Sequence, residues 1–131
     1  MRLLTKSSRS VYLHNGRVIK LETHTKPSTW QNYNEYTFFK KIKLTKFADW
    51  VPDVYSLSED YQLLETEFID TPITEFDFEL IKKSKFFEYC VKEGLHVKDL
   101  LMQDAWRKQG NQYKLVDAGC LECEFSKLKV A

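Results

Sequence analysis

Glycine is scarce in this chain: four residues in 131, each isolated from the others. No glycine-rich linker, internal repeat or low-complexity tract interrupts the sequence, so it reads as a single domain, 1–131, in two abutting halves, 1–70 and 71–131. Cysteine is scarce as well. Cys90, Cys120 and Cys123 are too few and too odd in number for a disulfide framework. Cys120 and Cys123 do form a lone C-x-x-C, open to a metal clip or a redox pair. Zinc wants about four ligands, however, and there is no second pair, so buried or incidental thiols are the preferred reading. Neither sign of charge dominates: 20 basic residues face 19 acidic ones, which leaves no overall electrostatic footprint for nucleic acid or an anionic membrane. No apolar run is long enough to cross a bilayer, and the amino terminus lacks the apolar core of a signal peptide. A cytoplasmic protein is expected.

What the chain does have is core-forming material, 43% hydrophobic and 15% aromatic residues, enough for one genuine core. SVYLHNGRVIKLE sets two β-prone runs around Asn15-Gly16, the dipeptide best suited to a tight hairpin turn. Alternation then puts Val18 and Lys20 on one face of the second strand, Ile19 and Leu21 on the other. After Pro27, Ser28 is positioned to cap a helix in which Trp30, Tyr33, Phe38 and Ile42 recur at roughly helical spacing. The Phe38-Phe39-Lys40-Lys41 run on it reads as core rings beside a solvated face rather than as a nucleic-acid stacking surface. Strand-like runs follow at Val54 to Leu57 and Tyr61 to Ile69, joined by a Ser58-Glu59-Asp60 turn. From Thr74 to Glu93 the pattern is helical, as one helix ending at Gly94 or as two broken near Ser84. A second hairpin is expected to pair Ala105 to Arg107 with Tyr113 to Val116, across a polar turn from Arg107 to Gln112.

Taken singly, the polar residues in these elements have ordinary readings: Lys20 as a solvated strand lysine, Glu35 as a surface glutamate of an amphipathic helix. The YKLVDAG segment, 113–119, is more pointed. It is a short apolar run that delivers Asp117 at its end and turns on Gly119. Acid plus glycine is common turn chemistry, but it is also what a metal-binding aspartate needs.

The order of these features, a lysine on a strand, a glutamate on the next helix, two aspartates five residues apart, and Asp-x-Gly, resembles the protein-kinase-like superfamily, which includes protein kinases and aminoglycoside phosphotransferases. RLLTKSSRSVYLHNGRVIKLE is similar to the first three strands of that fold, NEYTFFKKI to the start of its regulatory helix, LLETEFIDTPI to the last small-lobe strand and hinge, VKDLLMQD to the catalytic loop, and LVDAG to the metal-binding motif. The resemblance implies an α+β, protein-kinase-like fold. It would have a small antiparallel-sheet N-lobe with one inserted helix, and a much reduced helical C-lobe carrying a catalytic-loop hairpin.

The same resemblance implies ATP and Mg2+ as cofactors and a residue-by-residue assignment. Lys20 contacts the nucleotide phosphates and Glu35 orients it. Ser7 and Ser8 cover the phosphates, and the backbone of Glu67, Phe68 and Ile69 faces adenine with Thr66 beside it as gatekeeper. Asp99 serves the acceptor hydroxyl, and Asp104 and Asp117 hold the metal. Phosphoryl transfer explains the demand for these residue types, because several negative charges must be met by a lysine and by hard-oxygen-ligated divalent ions.

The chain differs from the family pattern in four places. Its phosphate-covering loop, Thr5-Lys6-Ser7-Ser8-Arg9, has no glycine, so hydroxyls and Lys6 or Arg9 stand where backbone amides usually serve. Asp104 replaces an asparagine, and Val97 a histidine, with His96 one place earlier. The sequence also stops twelve residues after Gly119, before any activation segment. The function expected is a minimal ATP- and Mg-dependent phosphotransferase acting on a hydroxyl, of a compactness suited to a viral or mobile genome. The alternative is a pseudokinase that binds a nucleotide or partner without catalysis. A partner protein or second copy is expected on the surface left by the missing C-lobe helices; nucleic acid and membranes are not. The plainest alternative is a generic α+β domain in which Lys20 and Glu35 are solvated and the aspartates cap turns.

Overall fold

The computed structural model describes residues 2–6, 9–22, 30–93 and 100–118. Within them the fold is mixed α and β, with three α-helices and two small antiparallel sheets. The larger sheet has the order β1-β2-β3-β5-β4, made of β1 (Arg2–Lys6), β2 (Ser10–His14), β3 (Arg17–Leu21), β4 (Val54–Leu57) and β5 (Leu63–Glu67). The β2–β3 turn forms where Asn15-Gly16 predicts it, with φ of 52° and 75° at the two residues, the left-handed pair that a two-residue hairpin turn requires. Strand alternation also holds. Val18 and Lys20 are buried while Arg17 and Leu21 are exposed, and the partner strand turns Leu64 and Thr66 the same way.

Helix α1 (Gln31–Lys43) follows, but its amino end is not built as the sequence suggests. Ser28 lies outside the described residues, and Trp30, the residue at the cap position, makes no side-chain cap hydrogen bond. The cap comes from the sheet: the Glu22 carboxylate accepts from the Gln31 and Asn32 amides at 3.1 and 2.6 Å, satisfying two of the helix's open donors and complementing its positive end. The buried face also differs. Trp30 and Tyr33 leave the core to pack on Tyr61, with ring centroids 5.0 and 4.9 Å away, and their inward places are taken by Asn32 and Glu35. It is the second half of α1, with Phe38, Phe39 and Ile42, that enters the main apolar cluster.

Strand β5 is shorter than the Tyr61 to Ile69 run. Tyr61 adopts φ of 63°, and Asp60 accepts from the Ser58 hydroxyl and the Gln62 amide, so the turn takes residues that hydropathy assigns to the strand. Between Thr74 and Glu93 the chain makes two helices, α2 (Glu75–Lys82) and α3 (Lys85–Lys92). The break is chemical: Ser84 Oγ accepts from the Phe87 amide and donates to the Ile81 carbonyl, ending one helix and starting the next. The second sheet has three strands in the order β6-β7-β8: β6 (Thr71–Pro72), β7 (Trp106–Gln109) and β8 (Gln112–Leu115). Its hairpin turn is tighter than expected, closing on Gly110 at φ of 60°, and β6 is an addition the sequence pattern did not indicate.

One apolar cluster joins both halves, drawing Phe39 and Ile42 from α1, Ile81, Phe86 and Cys90 from α2 and α3, and Trp106 and Leu115 from the second sheet. Burial, reinforced by Glu93, pushes the Cys90 thiol up to about 12, so it behaves as core rather than as a nucleophile. No helix among the described residues is long and apolar enough to cross a membrane.

The start of α2 carries an acid-sensitive joint. Asp77 and Thr74 form a reciprocal capping box, and Tyr113 Oη donates to Asp77 at 2.7 Å. The Thr74 amide first, then the Tyr113 hydroxyl, lower the Asp77 carboxyl from 3.8 to about 2. A depressed folded-state pKa stabilises the fold above the unfolded value, and that contribution is lost as pH falls from about 4 towards 2. Thermal melts across that window should show a steeper decline for the wild type than for Asp77→Asn, which should start lower at neutral pH and lose less on acidification. Parallel curves would exclude this coupling.

Candidate functional site

Four separate segments converge beneath the larger sheet, each for a local reason. Strand alternation turns Lys20 inward from β3, and Glu22, capping α1, ties that helix to the end of the same strand. The helix thereby presents Asn32 and Glu35, three residues apart on one face, to the underside of the sheet. Arg9 enters just before β2, and the chain leaving β8 brings Val116, Asp117 and Ala118 alongside.

Glu35, 0% exposed, is the hub. One carboxylate oxygen accepts from Lys20 Nζ. The other accepts from Arg9 Nη2 at 3.0 Å and from the Ala118 amide at 2.8 Å. Lys20, 5% exposed, also donates to the Val116 carbonyl at 2.6 Å. Arg9, 4% exposed, reaches three acceptors: Asn32 Oδ1 at 3.0 Å, Glu35 Oε1 at 3.0 Å and Asp117 Oδ1 at 2.9 Å. Asn32 closes the circuit by donating to the Lys20 carbonyl at 2.9 Å. Burial alone would lower the Arg9 pKa, but the charges of Glu35 and Asp117 outweigh it and hold the guanidinium above its usual value. No buried side-chain nitrogen or oxygen among the described residues lacks a hydrogen-bond partner, the condition under which buried charge is tolerated.

Lys20 and Glu35 are thus a buried ion pair, not the solvated residues that each suggests alone. Asp117 lies at the rim of the same cluster, its side chain 63% exposed. Asp104 is exposed on a 3-10 turn, Gln103–Ala105. The Val116 amide donates to the Ala105 carbonyl at 2.8 Å, so the chain around Asp104 runs beside the chain around Asp117.

In the 66–69 stretch, Thr66 is buried opposite Val18 and Ile69 is buried. Phe68 is half-buried. The Glu67 amide donates to the Asp53 carbonyl at 2.8 Å, while its carboxylate accepts from the Asp53 amide at 3.0 Å and from Gln109 at 3.1 Å. Glu67 therefore fastens β5 to residue 53 and to the second hairpin. Ser7, Ser8, Asp99, His96, Val97, Gly119, Cys120 and Cys123 lie outside the described residues.

Sequence reasoning placed Arg9 only as a loop cation and missed Asn32 and Glu22 altogether. Hydropathy periodicity has no channel for buried polar residues. The available signal was a glutamate closing a strand ahead of a helix with no acid in its first turn.

The donor set bears on whether a metal fits. Among the described residues, no group of three or more His, Cys, Asp or Glu could hold an ion. Mg2+ carried by a nucleotide needs only one or two carboxylates, because phosphate oxygens and water complete its shell. Asp104 and Asp117, on chain segments joined by the Val116–Ala105 backbone hydrogen bond, are the carboxylates that would hold such an ion. A groove of about 710 Å3 lies elsewhere, between α1 and β4, lined by Tyr36, Lys40, Lys43, Leu44 and Tyr55 among others; neither Lys20 nor Asp117 borders it. Comparison with protein-family models, curated proteins and solved structures finds no match for this chain.

Proposed function

We propose that this chain is a minimal kinase-like phosphotransferase, binding ATP with Mg2+ and moving the γ-phosphoryl group to a hydroxyl acceptor. The observation that carries this reading is the buried Lys20–Glu35 pair, which comes from a strand and the following helix and lies against the segment that bears Asp117. An ion pair so placed needs a reason beyond stability, since a buried pair is often no more stabilising than packed apolar residues.

In this reading Glu35 aims the Lys20 ammonium, and Lys20 meets the phosphate oxygens. Asp117 and Asp104 would hold the ion, whose part is to offset phosphate charge. Asp99, assigned by resemblance, takes the acceptor's proton as the new oxygen–phosphorus bond forms and the bond to the ADP oxygen breaks. The kinase-like description of the fold belongs to the same proposal.

A second reading, a kinase-like module that binds without transferring, is favoured by Arg9. Its guanidinium engages both Glu35 and Asp117, two of the groups catalysis would use. Exposed Phe76, Leu101 and Met102 offer such a module an apolar surface for a partner.

Thermal melts with ATP, with and without Mg2+, test the first reading. Ligand at about 100 times its Kd stabilises a fold by about 2.7 kcal/mol, so a rise of several degrees that requires Mg2+ and is lost in Asp117→Ala is expected. No rise under either condition overturns nucleotide binding. Incorporation of labelled phosphate then separates the two readings: wild type above Asp99→Ala supports transfer, and equal incorporation supports the binding module.

A further inference from the structure

Arg9 reaches three acceptors, as many partners as Glu35 has, and no step of the proposed transfer uses it. Its guanidinium is planar and presents donors in a fixed fork, which a lysine cannot reproduce. Here that fork spans two elements. Nη1 holds Asn32 of α1, while Nη2 is shared between Glu35 of α1 and Asp117 beyond β8. Within hydrogen-bond reach of Arg9 and Lys20, the cluster has carboxylates at 35 and 117, and Glu22 adds a third negative charge that Arg9 also feels. Among the described residues, then, two cations face three anions, and of these anions Asp117 is the nearest to solvent.

We propose that Arg9 is a built-in counter-cation for Asp117 and the positioning residue of the 116–118 segment, so that a divalent ion must engage Asp117 in competition with the guanidinium. The positioning half stands on the contacts alone; the competition half rests on the proposed function. Glu35 Oε1 accepts from both Arg9 and the Ala118 amide, so the strap and the docking of the segment share one oxygen. Loss of Arg9 removes a positive charge 2.9 Å from Asp117 and leaves Glu35 with less compensation, and both changes strengthen the attraction of a cation to that rim.

The experiment uses the full chain and the Mn2+–ATP complex, followed by electron paramagnetic resonance, in wild type, Arg9→Gln, Arg9→Lys and Arg9→Gln with Asp117→Asn. Arg9→Gln should bind the complex about tenfold more tightly or better than wild type. The gain should vanish when Asp117→Asn is added, and Arg9→Lys, which keeps the charge, should stay near wild type. Unchanged or weaker binding in Arg9→Gln overturns the competition, as does a gain of equal size in Arg9→Lys.

Thermal melts of the same proteins and of Asp117→Asn read the strap without reference to metal. The double variant should melt no lower than Arg9→Gln alone, because the two substitutions break one contact. Fully additive losses overturn the positioning role. Should Arg9→Gln fail to fold, Arg9→Lys with and without Asp117→Asn supplies the melting comparison: the aspartate substitution should cost less there than in wild type if the fork is what holds Asp117. Failure of the ATP melts above, with Arg9 and Asp117 still non-additive, would remove the nucleotide reading and leave the strap standing.

Discussion

Glu35→Ala should cost about 3–5 kcal/mol, the penalty typical of removing one partner from a buried ionic network. That is a large part of the total stability of an ordinary domain, about 5–15 kcal/mol. The substitution leaves Lys20 and Arg9 together in a buried space and strips the Ala118 amide of its acceptor. Lys20→Met should cost less, about 1–3 kcal/mol, because Glu35 keeps Arg9 and the Ala118 amide and the methionine stem fills the vacated space. Urea unfolding of the two variants beside wild type measures the order. A Glu35→Ala loss no greater than that of Lys20→Met would mean that Glu35 is not the hub described above.

Trp106→Ala should be comparably damaging, at about 3–5 kcal/mol for a fully buried aromatic cut to a methyl. Trp106 is 1% exposed. Phe87 stacks on its ring, Phe86 and Trp50 meet it edge-on, with centroids 6.1–6.4 Å away, and its indole N–H donates to the Leu100 carbonyl at 3.0 Å. The residue thus binds α3, the 3-10 turn at Ala48–Trp50, the chain at Leu100 and the second sheet into one body. Trp106→Phe should retain most of the packing and lose about 1–2 kcal/mol, the cost of leaving a buried carbonyl without its donor. Guanidinium unfolding followed by near-ultraviolet circular dichroism checks both. An alanine variant within about 1 kcal/mol of wild type would show that the ring is not a packing centre.

The sequence was most legible where local chemistry decides the outcome. Asn15-Gly16 made a hairpin because few other dipeptides accept left-handed backbone at two successive positions. Alternation put Val18 and Lys20 together on one face of β3, and of the two readings left open for 74–93 the chain takes the break near Ser84. Legibility failed where a residue's partner is distant. Helical spacing set Trp30 and Tyr33 in the core, whereas the first half of α1 faces a charged cluster and the aromatic rings moved outward to Tyr61. β6 went unseen because two residues, one of them proline, carry no strand signal until β7 lies beside them.

The candidate site divides the same way. Lys20, Glu35 and Asp117 were picked out by order along the chain, and the fold brings them into one network. Yet considered singly, Lys20 and Glu35 favoured solvent, because isolated charges are rarely buried. Their burial became tolerable only through each other, Arg9, Asn32 and two backbone groups. Arg9 shows the limit most clearly, since nothing within ten residues of it along the chain names Glu35 or Asp117 as its partner.

By itself, then, the amino-acid order determined the elements whose causes are local: the left-handed turn at 15–16, the faces of β3 and β5, the helical caps at Thr74 and Ser84, and a core drawn from closely spaced apolar residues. Only the tertiary structure decided which charges go inside and what neutralises them, because the energy of a buried ion depends on groups up to 108 positions away in the chain, as Arg9 and Asp117 are. Short-range propensity acts over a turn or two of backbone, whereas desolvation and ion pairing are settled when the chain closes on itself.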